Sequence, residues 1–281
     1  MENFQQIPSG THLPFRVGIV GGGRLGGALA RALEPYLAWV VTRSPARRAF
    51  LRSVLQGAAL VGSLKEIAVL PPVVIIAVPD RAIIPVAEEC ARQFAGQLEG
   101  KVVIHLAGSL LAQVLEPVQQ FGALIAAAHP FTVVPEPHPG WIYGAVWGIE
   151  GDYRAFDRTE RLVVATGGIP YRLGSMNAER KALYHVAAVL ASNVTTHAIA
   201  AAVQAAEAAG IPPAVFLPPI LRATVESATS ALLQGQPVQR TGPLVRGDDE
   251  TIERHLRALE QYPLLLAQYK AFLAAMLHDA P

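Results

Sequence analysis

The feature that most constrains the fold is a glycine-rich turn, Gly-Gly-Gly-Arg-Leu-Gly, that starts at Gly21. It matches the pattern G-x-G-x-x-G, follows a short apolar run and leads into an Ala/Leu-rich run. That context, a strand before and a helix after, is typical of a dinucleotide-binding turn. Gly21 would permit the tight turn, Gly23 a close approach of backbone to a pyrophosphate, and Gly26 close packing of the helix on the strand.

A helix that begins at this turn would present unpaired N–H groups and the positive end of its dipole to the phosphates of a nucleotide. The alternative is a glycine-rich loop that binds nothing. The context favours the nucleotide, and the candidate cofactor residues of the turn are Gly21, Gly22, Gly23, Arg24, Leu25 and Gly26.

The end of the second predicted strand indicates which nucleotide is bound. Residues 40–48 contain no Asp or Glu, the residues that hold the ribose hydroxyls in NAD-binding chains. Arg43 instead offers a planar fork of donors to a 2′-phosphate. Thr42 and Ser44 can add hydroxyl donors, whereas Arg47 could equally lie on a solvated helix face. The sequence therefore predicts NADP(H) as the cofactor.

The first half of the chain alternates apolar runs with helical segments, which is typical of a parallel sheet covered on both faces. We predict a doubly wound Rossmann domain over residues 14–174. Loops at the carboxyl ends of its strands should line the cofactor crevice. Candidates there are Val78 and Pro79 for the cofactor and Ser109 for the substrate.

The second half is predicted to be all-helical. Residues 176–209 form an Ala-rich run without internal Gly or Pro, and Gly210 with two following prolines ends it. We place a helical substrate and dimerisation domain at residues 175–281, with the boundary near Gly174. Residues 1–13 are polar and are interpreted as a disordered lead-in.

Polar residues on the long helix form the candidate catalytic group. Spacings of four and seven residues put Lys181, His185 and Ser192 on one face, with Asn193 near its edge. Burial would lower the pKa of a lysine and make it a usable acid. A plainer alternative is that Lys181 points to solvent.

Two further sites complete the candidate set. His129 ends an apolar run at the expected crevice and could orient a substrate or donate a proton; a structural role is the alternative. Arg246, in a Gly/Pro-containing loop that starts at Thr241, could bind a substrate carboxylate. One of the two aspartates that follow, Asp248 or Asp249, should cap the next helix.

Composition excludes several other classes of protein. The net charge of +1 provides no basic field for nucleic acid. The single cysteine, Cys90, excludes an intrachain disulfide and a Cys-based zinc site. We expect no metal, no membrane span (no apolar run reaches the required length) and a cytoplasmic location.

These motifs together resemble those of the bacterial Rossmann-like proteins that carry a helical C-terminal domain of formerly unknown function. The resemblance covers nearly the whole chain past the lead-in. It rests on the glycine turn, on His129-Pro130-Phe131, on Lys181-x-x-Tyr184-His185 with Ala191-Ser192-Asn193, and on Thr241-Gly242-Pro243 through Arg246-Gly247-Asp248. More distantly the chain is similar to pyrroline-5-carboxylate reductases, ketopantoate reductases, hydroxyisobutyrate dehydrogenases and deazaflavin-dependent NADP reductases.

The resemblance implies NADP(H), a cleft between two domains and a homodimer formed through the helical domain. In the hydroxyisobutyrate and ketopantoate enzymes an Asn follows the catalytic Lys by one helical turn. Here that position is His185, so either Lys181 or His185 could be the proton donor. The expected activity is hydride transfer to a C=O or C=N carbon of a small carboxylated substrate, with ketopantoate as one candidate. A non-catalytic NADP(H) sensor and deazaflavin–NADP hydride exchange are the alternatives.

Overall fold

A computed structural model describes residues 12–278 of the chain. Most of the predicted lead-in, residues 1–11, lies outside the described residues. The chain divides into two compact units, residues 1–192 and residues 193–281. The first twelve residues of the long helical run therefore belong to the unit that contains the sheet. The sequence instead placed the boundary between the two domains near Gly174.

The first unit is built on one eight-stranded sheet of order β3-β2-β1-β4-β5-β6-β7-β8. The first six strands follow the order typical of a doubly wound dinucleotide-binding domain, whose strand order reverses beside β1. The strands are β1 Val17–Val20, β2 Leu37–Val41, β3 Ala59–Val61, β4 Val73–Ile76, β5 Val102–His105, β6 Leu124–Pro130, β7 Val146–Gly151 and β8 Ile169–Arg172.

The sheet is parallel except at one pair, because β7 runs antiparallel to β6. The segment between them contains no crossover helix, only one turn of 3-10 helix at Pro139–Trp141. A parallel return needs such a crossover, so the chain turns back beside β6 instead. The doubly wound fold with a mostly parallel sheet is confirmed, this pair is its one antiparallel exception, and the three-residue β3 was not predicted.

Helices cover both faces of the sheet. The face with α1, α2 and α5 buries Leu29, Leu51 and Leu162 against the strands. The opposite face packs α3 and α4 through Phe94 and Val118. Central strands such as Val73–Ile76 are buried at every position, as strands covered on both faces must be. The helices of this unit are α1 Arg24–Ala32, α2 Pro45–Val54, α3 Ile83–Phe94, α4 Glu116–Gln119, α5 Phe156–Ala165 and α6 Ala178–Val189.

The second unit is helical, as predicted. Its helices are α7 Thr195–Ala208, α8 Pro213–Leu233, α9 Asp249–Ala258 and α10 Pro263–His278. The Asp248 side chain accepts a hydrogen bond from the backbone N–H of Thr251 and so caps α9, one of the two aspartates proposed for this role. Helix α8 has no buried residue along its 21 positions, so an extensive apolar surface is exposed.

The helical run Ala178–Ala208 has 31 residues, and an 18-residue window within it has a mean hydropathy of 1.6. Among the described residues it is the one helix long and apolar enough to cross a membrane by length and composition. Polar residues such as Asn193 and His197 interrupt it, so it is not an uninterrupted apolar run of that length. A single such helix is weak evidence for a membrane span, because apolar core helices of soluble proteins have the same length and composition.

Candidate active site

The glycine turn has the geometry that the sequence motif predicts. Gly21 has φ +115°, and a Cβ placed on it would lie 2.1 Å from the carbonyl oxygen of Ala77. A Cβ on Gly26 would lie 2.0 Å from the carbonyl oxygen of Gly21. Both positions therefore require glycine, the first for its backbone conformation and both for close approach. A Cβ on Gly23 would meet nothing within 4 Å, so the backbone there faces open space.

The start of α1 fits the pyrophosphate of a dinucleotide. Gly23 is the N-cap residue, and no described side chain caps the helix there. The first turn of α1 also lacks an acidic residue. The first backbone N–H groups and the positive end of the helix dipole are therefore free to bind an anion.

The end of β2 provides two exposed guanidinium groups near the expected ribose. Arg43 and Arg47 are both exposed. Arg48, by contrast, donates a hydrogen bond of 2.5 Å to the carbonyl oxygen of Thr42 and is held at the strand end. The Ser44 hydroxyl accepts the backbone N–H of Arg47 at 3.3 Å and caps α2. Thr42 is buried against Gly22, beneath the glycine turn.

A cavity of about 280 Å³ opens beside the glycine turn, at the carboxyl ends of β4, β5 and β6. This is the edge of the sheet at which doubly wound folds bind ligands. The structure therefore brings Arg24 and Leu25 of the turn together with His129 and His185, four of the candidate site residues. The remaining lining residues are Asp80, Leu106, Ala107, Gly108, Pro130, Thr132 and Val134.

One wall of the cavity is an aromatic cluster that joins the end of β6 to α6. The His129 ring lies edge-on to His185, with the ring centroids 5.4 Å apart. The His129 Nδ1 lies 3.2 Å from the Tyr184 hydroxyl. Phe131 packs on Tyr184 with a centroid distance of 5.1 Å. Burial lowers the pKa of His129 to about 4 and raises the pKa of Tyr184 to about 12, so both groups are neutral at neutral pH.

Gly108 lies between the two histidines and was not singled out from the sequence. A Cβ on Gly108 would lie 2.3 Å from His185 Nδ1 and 2.9 Å from His129 Nε2. His185 Nδ1 is buried and has no hydrogen-bond partner among the described residues. Both imidazoles therefore face the same point, and only glycine leaves room for them.

Lys181 does not line this cavity. Its side chain is fully buried, and Nζ lies 3.3 Å from Glu150 Oε1 and 5.6 Å from the centroid of the Tyr184 ring. Burial lowers the pKa of Lys181, although Glu150 acts in the opposite direction. The structure thus shows Lys181 in a buried ion pair behind the aromatic cluster. The alternative that it points to solvent is wrong.

The other sequence candidates of the first unit have local partners. The Ser109 hydroxyl donates to Asp80 at 3.2 Å, and Val78 borders Gly21 at the glycine turn. Pro79 precedes a turn of 3-10 helix at the end of β4. The Ser192 hydroxyl donates to the Ala188 carbonyl oxygen at 2.6 Å, inside its own helix.

A π-helical segment, Leu190–Val194, changes the face on which Ser192 and Asn193 lie. The predicted positions, Ser192 on the face of Lys181 and His185 and Asn193 near its edge, assumed 3.6 residues per turn throughout. A π turn holds more residues per turn, so each residue in it advances by a smaller angle around the helix axis. Lys181 and His185 both precede the π turn and keep their shared face, whereas the angles predicted for Ser192 and Asn193 do not hold. In the second unit, Asn193, Thr241 and Arg246 are all exposed.

The buried histidines make a prediction about stability. Burial lowers the pKa of His105, like that of His129, to about 4, below the ordinary value of 6.5. The unfolded chain therefore binds more protons between these values. Stability should be complete above about pH 6.5 and fall as the pH drops toward 4, by up to about 3 kcal/mol per histidine.

Urea unfolding at several pH values in this range measures the effect. Glutamine does not titrate. In the His105→Gln variant, the slope of the unfolding free energy against pH should therefore correspond to about one bound proton fewer than in the wild type. An unchanged slope in this variant would contradict the assignment to His105.

Comparison with known families supports the two-domain organisation. The family described as a Rossmann-like domain matches residues 8–130, and a domain of unknown function, DUF2520, matches residues 145–276. A search of curated proteins finds no match.

Solved structures share the fold over nearly the whole chain. Protein BF3122 from Bacteroides fragilis is 22% identical, with a TM-score of 0.77, and the match covers 93% of this chain and 97% of that chain. An imine reductase from Myxococcus stipitatus in complex with NADP+ is 19% identical, with a TM-score of 0.66, and the match covers 94% of this chain and 95% of that chain. A pyrroline-5-carboxylate reductase from Coxiella burnetii is 17% identical, with a TM-score of 0.59, and the match covers 92% of this chain and 98% of that chain.

At these identities the likeness shows a shared fold. Together with the two family matches it confirms the resemblance inferred from the motifs. The chain matches the Rossmann-like domain family over its first part and DUF2520 over its second part.

Proposed function

We propose that the protein is an NADP(H)-dependent oxidoreductase that reduces a C=N or C=O bond of a small, carboxylated substrate. The observation that carries the proposal is the cavity beside the glycine turn, because its wall holds two imidazoles at the edge where the fold binds ligands. Both the imine reductase and the pyrroline-5-carboxylate reductase that share the fold act on C=N bonds, as their names state.

NADP(H) is supported by the residues that would hold it. The uncapped start of α1 would bind the pyrophosphate, and Arg43 with Arg47 would bind the 2′-phosphate. No carboxylate stands in residues 40–48 to repel that phosphate. When bound, NADPH supplies a hydride to the carbon of the C=N or C=O bond.

His185 is our candidate for the residue that supplies the proton to the nitrogen or oxygen of that bond. It lines the cavity, whereas Lys181 is buried and bonded to Glu150. Geometry is the first requirement for a general acid, and only His185 of the two meets it. His129, held by Tyr184, would orient the substrate. Lys181 then acts indirectly by fixing α6.

The second unit contributes further proposals. Arg246 and Thr241 remain candidates for binding a substrate carboxylate, because both are exposed in a turn-rich loop before α9. Ser192 and Asn193 remain candidates for hydrogen bonds to the substrate. A cytoplasmic location remains a prediction.

We also propose a homodimer that forms through the helical unit. Leu232 and Leu233 are 68% and 84% exposed, and Val215 and Ile220 on the same helix are more than half exposed. Exposed apolar side chains of this kind are a feature of protein–protein interfaces. Light scattering should give a mass of twice 29.9 kDa. A single-chain mass at micromolar concentration would contradict the proposal.

The experiment that tests the activity follows the loss of NADPH with a carboxylated cyclic imine (1-pyrroline-5-carboxylate) and a 2-oxo acid (ketopantoate). We expect turnover with at least one of these acceptors and a much lower rate with NADH. Tight binding of NADPH without turnover of C=N or C=O acceptors would favour a nucleotide sensor.

A further inference from the structure

We propose that His105 is a positioning residue of the candidate active site. Its side chain holds the loop of residues 107–111 so that Gly108 lies against His129 and His185. Such a role concerns how the cavity is built. It goes beyond the proposed reaction and can be tested without a substrate.

The hydrogen bonds of His105 join the two ends of this loop. Its Nδ1 accepts the backbone N–H of Ala107 at 3.2 Å, and its Nε2 lies 3.0 Å from the carbonyl oxygen of Leu111. An N–H needs a lone pair and a carbonyl needs a donor, so the partners select the neutral tautomer with hydrogen on Nε2. The side chain is fully buried at the end of β5. Its low pKa keeps it in this neutral form at neutral pH.

The residue after the loop is anchored to α6 through Glu150. The backbone N–H of Ala112 donates to Glu150 Oε1 at 2.8 Å, and the same oxygen lies 3.3 Å from Lys181 Nζ. Lys181 belongs to α6, the helix that carries His185. One buried carboxylate therefore connects the end of the loop to the helix that it faces.

This arrangement fixes the close approach of Gly108 to the two imidazoles. Because Gly108 leaves so little room for His129 Nε2 and His185 Nδ1, a small shift of the loop changes the distance between it and both imidazoles. A misplacement of about 1 Å at a reacting group costs on the order of 10²-fold in rate. His105 is not one of the residues that line the cavity, so it acts only through the loop.

The test uses three replacements of His105 in the full chain. His105→Leu removes both hydrogen bonds and keeps an apolar volume. His105→Asn places an acceptor near the Nδ1 position for Ala107, and His105→Gln places a donor near the Nε2 position for Leu111. His138→Leu is the matched control, because His138 Nδ1 accepts the N–H of Gly140 at 3.1 Å in a different loop. The measurements are amide hydrogen exchange of residues 107–112 and the ring-nitrogen NMR signals of His129 and His185.

We expect His105→Leu to speed exchange of the Ala107 amide by about tenfold or more and to shift both ring signals. His105→Gln and His105→Asn should each restore part of this protection, and they keep the test decisive if His105→Leu does not fold. His138→Leu should leave residues 107–112 unchanged. Unchanged exchange and unchanged ring signals in the His105 variants, whatever their melting temperature, would overturn the proposal. Because no step uses an acceptor, such a failure is distinct from failure of the proposed reductase activity.

Discussion

Replacing Gly26 with alanine is expected to destabilise the first unit by about 3–5 kcal/mol and to abolish nucleotide binding. The new Cβ would lie 2.0 Å from the Gly21 carbonyl oxygen and 3.1 Å from Ala77 Cβ. Neither a backbone carbonyl nor the half-buried Ala77, which directly follows β4, can move cheaply, so α1 must shift away from the turn. Urea unfolding and titration with NADPH measure the two effects.

Gly23→Ala is the matched control in the same turn. The Cβ at this position meets no protein atom within 4 Å, so the fold should lose only about 1 kcal/mol or less. The side chain would, however, project where the pyrophosphate is proposed to bind, and we expect NADPH affinity to fall by about tenfold or more. Equal destabilisation by the two substitutions, or full NADPH affinity in Gly23→Ala, would contradict the roles assigned to these two glycines.

The second large effect separates the two candidate proton donors. His185→Gln should leave stability and NADPH binding nearly intact while turnover of the acceptor that the wild type reduces falls by about 10²–10⁴-fold. Lys181→Met should instead leave the buried Glu150 carboxylate without its cationic partner and cost about 3–5 kcal/mol of stability. Unfolding and steady-state rates are both needed, because loss of folded protein also lowers the rate.

A double variant makes the distinction sharper. Lys181→Met combined with Glu150→Gln removes the unpaired charge, so it should recover much of the stability that Lys181→Met loses. It should also turn over within about tenfold of the wild type, because Lys181 is assigned no proton transfer. If the double variant is stable but inactive while His185→Gln is active, Lys181 is the donor and our assignment is wrong.

The nucleotide half of the site was predictable because its chemistry is local. Six consecutive residues define the glycine turn, and Arg43 follows the next strand, so a short window of sequence contains both signals. To assign a role to these residues, it is enough to predict a strand before them and a helix after them. The structure shows Gly21 and Gly26 in positions where a Cβ would collide with backbone, as the motif implies.

The catalytic half was harder to predict because contacts across the chain decide it. Helical spacing put Lys181 and His185 on one face, but it could not show that Glu150, 31 residues earlier, buries and pairs the lysine. An acidic residue at the end of an apolar strand was the available signal for Glu150. His105, which ends a fully buried strand, was a comparable signal. The π turn after Val189 left no recognisable pattern, so the angles of Ser192 and Asn193 around the helix relative to His185 could not be predicted from a spacing of 3.6 residues per turn.

Titration of the purified protein with NADPH and with NADH, repeated for Arg43→Ala, tests the central claim most directly. We predict that NADPH binds at least about tenfold more tightly than NADH and that Arg43→Ala removes most of this preference without weakening NADH. Equal binding of the two nucleotides, or binding of neither, would contradict the claim that this Rossmann-like domain holds NADP(H).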